Sequence, residues 1–215
     1  HSFPTRRSSD LFLLLIEGVY MSVYIHGGLR SPIGVLNGQY KHMRPEILGS
    51  QVIDEIINRY TISHIDGIFC GNAVGTGGNL GRLMGLMCNL PNSVPAITVD
   101  MQCASALMSI EIAYAHIVSG IMDSAIAGGI ESSSLQPERV YASGDDREGP
   151  YKVAQFTPQD QSPLAMLKGA ERTIHKYNVT KEDLYPHIIG SHQRASAALD
   201  NPYLQRSEEH TSELQ

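Results

Sequence analysis

The sequence predicts an α/β fold built on a largely parallel sheet, and three observations carry that reading. Short apolar stretches, "SVYIHGG", "IDGIFCGNAV", "PAITVD" and "DSAIAGGI", are separated by longer segments whose apolar residues recur at helical intervals. Clusters such as "GTGGN" and "LPNSVP" punctuate the joins. Strands alternating with helices of this length make βαβ units, and such units build parallel sheets with helices on their faces.

The first predicted strand, residues 22–28, is rich in β-branched and aromatic residues and is stopped by Gly27 and Gly28. Pro45 suits a first helical turn, and Leu48, Val52, Ile56 and Tyr60, widened by Ile53 and Ile57, mark a core-facing stripe. A strand at "IDGIFCGNAV" follows, then a flexible connection, then a shorter helix with Leu80, Leu83, Met84, Met87 and Cys88 on its apolar face. "PAITVD" is the third strand. Leu107, Ile110, Tyr114 and Ile117 mark one face of the next helix, which Gly120 is placed to cap. "DSAIAGGI" is the fourth strand. Beyond "ESSSLQP" the composition turns polar, and residues 141–163 read as a long loop or the start of an inserted region. Two further helices are predicted, around Pro163 to Lys176 and around Lys181 to Leu199. Thr180 serves the second as N-cap, with Asp183 completing an aspartate version of a capping box.

With 215 residues and 42% hydrophobic composition, the chain has enough apolar material for one good-sized domain, or one domain and part of a second. A formal net charge of -6 and the lack of a basic block argue against nucleic acid or an anionic membrane as partner, and favour small-molecule chemistry. Cys70, Cys88 and Cys103 form no CxxC pair and leave an odd count, which fits reduced thiols in the cytoplasm and offers no metal-site spacing.

The two ends stand apart. "HSFPTRRSSDL" and "RSEEHTSELQ" are polar and aperiodic, and both resemble translations of sequencing-library adapter DNA. The apolar run after Leu11 is too short for a signal peptide and lacks a small-x-small cleavage site. The expectation is that residues 1–20 are adapter and translated leader, that native protein starts at Met21, and that residues 206–215 are adapter again.

Cys103 lies where "PAITVD" gives way to a helical pattern. That is the carboxyl end of a predicted parallel strand, the edge where open α/β sheets place their ligands. It is also at or just before a helix start, whose free N–H groups and dipole favour a thiolate and can receive a developing oxyanion. Ala104, Ser105 and Ala106 are small and leave room for a substrate over the sulfur. Free cysteines are nonetheless among the most buried residue types, so a nucleophile and a packed thiol both stay open on these residues alone. Cys70, inside a strand, and Cys88, on an apolar helix face, read as core.

Three other signals carry less. "GTGGNLG" fails the dinucleotide fingerprint because Leu80 stands at its third glycine, and no Lys-Ser/Thr follows as in a phosphate loop, so it reads as a connector. His187 and His192 lack a metal-site pattern and read as surface histidines. Gly128 and Gly129 fit a strand-end turn or a close backbone approach beneath Cys103, the latter favoured because their strand neighbours the Cys103 helix.

Taken together, "VYIHGGLRSPIG", "GNAVGTGGNLGRLMGLMCNLP", "DMQCASALMSI" and "AGGIESSS" resemble four successive motifs of the thiolases, the acyl-CoA C-acyltransferases. "GAERTIHKYNVTKEDLYPHIIGSHQRASAAL" can be laid without a gap on two further helices of that family, so the similarity runs from about Met21 to about Leu199. The resemblance implies Cys103 as a nucleophile that takes an acyl group from an acyl-CoA as a thioester and passes it to acetyl-CoA or to CoA. It places Asn79 and Arg82 at the family's polar positions before the nucleophile strand. It makes Glu131, otherwise a solvated carboxylate, a structural hydrogen-bonding residue. It implies a thiolase-like αβαβα layered fold, with residues 21–135 as the N-terminal α/β domain and 136–205 as part of an inserted CoA-binding loop domain. It further implies a homodimer or homotetramer at full length, in the cytoplasm, with coenzyme A thioesters as substrates, no bound cofactor, no metal, no nucleic acid and no membrane.

The chain departs from the family pattern in three respects, one of them Met166-Leu167-Lys168-Gly169-Ala170-Glu171 where the family often has Met-Gly before Thr-Ala-Glu. Ala104-Ser105-Ala106 stands where Gly-Ser-Gly is usual, and the added methyl groups narrow the acyl pocket. The family's catalytic His in Gly-His-Pro, Asn in Asn-Glu-Ala-Phe and second Cys in Cys-x-Gly-Gly-Gly do not occur in the chain. The expectation is a fragment that carries the nucleophile without its acid–base machinery and is inactive alone. The competing readings are a related β-ketoacyl synthase and a non-catalytic thiolase-like lipid-binding module.

Overall fold

The computed structural model describes residues 22–198 apart from 76, 153, 156, 157 and 159–163. These fall into two compact units, the first built from Pro45–Ala73 and Gly77–Glu131 with the segment leading to Gly28, the second from Leu29–Arg44 and the residues from Ser132 onward with the short stretch at Val74.

In the first unit, helix α1 (Pro45–Arg59) leads to strand β1 (Gly67–Gly71), helix α2 (Leu80–Met87), strand β2 (Ala96–Val99), helix α3 (Ser105–Val118) and strand β3 (Ala125–Gly129). The sheet order is β2-β1-β3 and both pairings are parallel, as βαβ connections dictate. β1 is buried along its whole length, which is why it reads as a continuous apolar run rather than an alternating one. Its two faces do different work. Ile68 and Cys70 join Ile53, Ile65, Leu80, Met84, Cys88 and Val94 in the main core beside α1 and α2. Phe69 points the other way and packs against the His116 ring of α3, with centroids 5.0 Å apart. Each buried Ile or Phe contributes about 1.5–3 kcal/mol, so this strand is the anchor of the unit.

The stripe on α1 is rotated from the predicted one: Glu46, Gly49, Ser50 and Ile53 are buried, with Ile57 against the core, while Leu48, Val52 and Ile56 are only half-buried. For α3 the correction is larger. Its sheet face is Ser105, Ser109 and Ala113, and the predicted face is turned outward, Leu107 being 67% and Tyr114 54% exposed. The sheet beneath α3 presents glycines, so the helix backbone sits close and only small side chains fit between. α3 closes in a Schellman motif, with the N–H of Gly120 on the carbonyl of Ile117 and that of Ile121 on His116, both at 3.0 Å.

The predicted strand at residues 22–28 does not form. Tyr24 is 83% and Ile25 87% exposed, and the segment enters no ladder. Strand-forming residues do not make a strand without a partner edge, and its fastenings here are the Tyr60 hydroxyl donating to the carbonyl of Gly28 and the edge of the His26 ring on Tyr60.

In the second unit the polar stretch after residue 136 holds a small hairpin, β4 (Arg139–Val140) against β5 (Pro150–Tyr151). Tyr141 stacks on Tyr151 at 4.2 Å and the Arg147 guanidinium covers Tyr141 at 4.2 Å. Arg147 also grips Asp145 through a bidentate pair, which holds that carboxyl well below the usual range. Helices α4 (Ala165–Tyr177) and α5 (Lys181–Ala198) follow, near the predicted spans; Pro163 and Leu199 lie outside the described residues. The capping box forms: Thr180 donates its N–H and hydroxyl to the Asp183 carboxylate at 2.8 and 2.7 Å and accepts the Asp183 N–H at 3.2 Å. No described helix is long and apolar enough to cross a membrane.

Candidate active site

Between β2 and α3 the chain makes a sharp turn, and Cys103 sits on it, exposed. The residue before it, Gln102, has φ 52°, a left-handed conformation that costs a residue with a Cβ about 1–2 kcal/mol. Local hydrogen bonds hold this turn. Asp100 Oδ1 accepts the Gln102 N–H at 2.9 Å, and the carbonyls of Met101 and Gln102 accept the N–H groups of Ala104 and Ser105, both at 3.1 Å. The Ser105 hydroxyl accepts the Met101 N–H at 2.8 Å and donates to the Gln102 carbonyl at 2.6 Å. Ser105 is therefore not open space over the sulfur, as its small size suggests; it is 5% exposed and its hydroxyl faces inward.

The start of α3 is pressed onto the carboxyl ends of β1 and β3. A Cβ on Gly71 would lie 2.5 Å from the Ala106 nitrogen, and one on Gly129 would lie 2.9 Å from the Ala106 Cβ, so these contacts require glycine. Gly128 is different, and the expected close approach does not hold there: a Cβ would meet open space. Its carbonyl instead takes the hydroxyl of Ser109, which is fully buried and lies 2.8 Å from it and 2.7 Å from the carbonyl of Ala106.

Glu131 and the residue that partners it complete this edge. Asn72, which sequence reasoning passed over, donates its backbone N–H to Val99 at the end of β2, and its side-chain amide to the Ile130 carbonyl and Glu131 Oε1, both at 2.8 Å. Glu131 Oε2 accepts the Ala73 N–H at 2.9 Å. The pair thus ties together the ends of all three strands. The only sequence signal for Asn72 was a polar residue directly after a buried strand.

Asn79 and Arg82 fasten α2 to β2 and to the loop before it. Asn79 caps α2 by accepting the Arg82 N–H, and its side chain also bonds Thr98 and the Ala96 carbonyl of β2. Arg82 clasps the carbonyls of Asn92 and Val94 at 2.7 and 2.6 Å, in the loop that enters β2, whereas Cys103 follows its exit. The other thiols are buried. Desolvation pushes the Cys70 thiol up to about 11, and burial raises Cys88 as well. Cys88 terminates α2 rather than lying within it.

An exposed cysteine on a strained strand-to-helix turn, backed by glycine contacts, suits a nucleophile that must meet a bulky substrate. A family model for the thiolase N-terminal domain matches residues 23–207. The chain belongs to the thiolase family. Among curated thiolase relatives, "Putative acetyl-CoA C-acetyltransferase VraB" of Staphylococcus aureus is 34% identical over 178 residues, covering 80% of this chain and 47% of that protein. The protein of the same name from Staphylococcus epidermidis is 33% identical over 182 residues, covering 80% and 46%. The chain thus spans about half the length of the curated relatives it matches. Its thiolase-like fold is also that of the crystal structure of the Bacillus anthracis acetyl-CoA acetyltransferase, with a TM-score of 0.67 at 24% identity, over 82% of this chain and 47% of that one.

Proposed function

We propose that this chain is the nucleophile-bearing half of an acyl-CoA C-acyltransferase and that Cys103 carries the acyl group. The observation that supports this most is the placement of Cys103, exposed on a held turn at the carboxyl edge of the sheet while the other two thiols are buried. In the proposed step the Cys103 thiolate attacks the thioester carbonyl carbon of an acyl-CoA. The carbon–sulfur bond to coenzyme A breaks, CoA leaves as thiolate and takes up a proton, and the acyl group stays on Cys103. The second step passes the acyl group to the α-carbon of acetyl-CoA, or returns it to CoA. Forming that carbanion needs a base, and we assign the base to the half of the protein beyond this chain. The outward face of α3 supports such a second half, since Leu107, Ile110 and Tyr114 form an exposed apolar stripe of the kind that another layer covers. That half would complete the αβαβα layering, with residues 136–205 contributing to coenzyme A binding, in a soluble homo-oligomer.

The test is alkylation of the full-length protein by iodoacetamide with and without acetyl-CoA. The expected result is rapid labelling at Cys103 that acetyl-CoA suppresses. A Cys103 that neither reacts nor is protected would favour the non-catalytic binding module instead.

A further inference from the structure

We infer that Ser105 is a positioning residue for Cys103: its hydroxyl holds the left-handed turn at Gln102 on which the thiol is presented. The inference rests on the reading of Cys103 as the acyl acceptor, and it follows from four features of the turn. Gln102 carries a Cβ yet has φ 52°, so its conformation must be imposed by its surroundings. The Ser105 hydroxyl spans that residue, accepting from the N–H of Met101 on one side at 2.8 Å and donating to the carbonyl of Gln102 at 2.6 Å. Ser105 itself is 5% exposed and both bonds are part-buried, which makes them stronger than the same bonds in open solvent. The hydroxyl is fixed in turn by the backbone of Ser105, which lies against Gly71, where a Cβ would come within 2.5 Å of the Ser105 carbonyl carbon.

The hydroxyl and the glycine therefore act as two sides of one clamp. Remove the hydroxyl, and the Met101 N–H loses its acceptor within the turn while Gln102 is free to relax toward φ below zero. Cys103, the next residue, then swings away from its position over the helix start. Ser109 makes a comparable buried pair of contacts, but to the carbonyls of Ala106 and Gly128, one turn further on, and it does not touch the cysteine turn. It is the natural control.

The experiment measures the iodoacetamide rate at Cys103 as a function of pH, beside thermal stability, in four forms of the full-length protein: wild type, Ser105→Ala, Ser109→Ala, and Gln102→Gly with Ser105→Ala. Ser105→Ala should react roughly tenfold more slowly, while Ser109→Ala, with a similar loss of stability, should stay within about twofold of wild type. Glycine takes φ above zero without strain, so Gln102→Gly should restore most of the rate in the Ser105→Ala background. A Ser105→Ala rate within about twofold of wild type, a loss shared equally by Ser109→Ala, or a loss that Gln102→Gly does not relieve would each overturn the inference. Acylation of the wild type by acetyl-CoA, followed in parallel, reports on the proposed function separately. A protein that is not acylated but shows the slow and rescued pattern would lose the function and keep the clamp.

Discussion

Cys70 lies within β1, paired in register with Thr98 of β2 and Gly128 of β3, and is 2% exposed; Cys103 lies just beyond the end of β2 on an exposed turn. The surroundings of Cys70 are made of side chains that fit a sheet interior, and burial pushes its thiol up to about 11. Around Cys103 the backbone is bent, and the bend is held by the Asp100 carboxylate, which accepts the Gln102 N–H, and by the Ser105 hydroxyl, which donates to the Gln102 carbonyl. The comparison teaches that a thiol's chemistry in this protein is set by the element that carries it. Regular strand protects, and the strained junction presents.

Substituting the presented thiol should break the comparison most. Cys103→Ser is expected to lower acyl transfer from acetyl-CoA by roughly three orders of magnitude or more, measured as CoA release by the full-length protein, with little change in its melting temperature. A variant that kept a tenth of the wild-type rate, roughly, would place the acyl group elsewhere.

Selective alkylation sharpens the same contrast. At pH 8 a thiol pushed up to about 11 is thiolate in only about one molecule in a thousand, so Cys70 should be labelled at least about a hundredfold more slowly than Cys103 until denaturant is added. Because the folded value lies above the ordinary 9.0, the associated stability is present below about pH 9 and is lost as pH rises toward 11.

The glycine contacts allow a paired test. Gly71→Ala forces a methyl group onto the backbone at Ala106 and should destabilise the protein by about 1–3 kcal/mol in urea melts. Gly128→Ala meets open space and should fall within about 0.5 kcal/mol of wild type. Equal effects at the two sites would mean that α3 is not seated on the sheet as described.

The smallest effect is expected at the amino end of the sheet, away from the cysteine turn. Asp66 there accepts the N–H groups of Asp123 and Ser124 at 2.8 and 3.0 Å and pairs with His64, and the Asp123 N–H foremost holds its carboxyl below the usual range. Its contribution is present above the ordinary aspartate range and is lost as pH falls through the lowered folded value. Asp66→Asn should therefore lower the melting temperature at pH 7 and differ less from wild type at about pH 3. A difference that does not narrow in acid would contradict the assignment.

The strand–helix alternation from Pro45 to Gly129 was legible because β1 is buried on both faces and each joint carries a turn signal. So was the Thr180–Asp183 capping box, which is a local motif. Legibility stopped where a residue's role depends on something outside its own segment. The strand at residues 22–28 needs a partner edge, and the outward face of α3 looks like an inward one because a stripe of Leu and Tyr carries no sign of which side the sheet lies on. At the site, the spacing singled out Cys103 and family likeness singled out Glu131. Ser105 was missed because it acts through hydrogen bonds to backbone atoms, which leave no pattern of residue types, and Asn72 because its partners, the Ile130 carbonyl and Glu131, lie 58 and 59 residues away in the chain.

The most direct measurement is peptide mapping by mass spectrometry of the full-length protein quenched in acid after brief exposure to acetyl-CoA. The expected result is an acetyl group on the peptide bearing Cys103 and none on those bearing Cys70 or Cys88, removed again by added CoA. An unmodified Cys103, or an acetyl group found on another residue and not returned to CoA, would contradict the account.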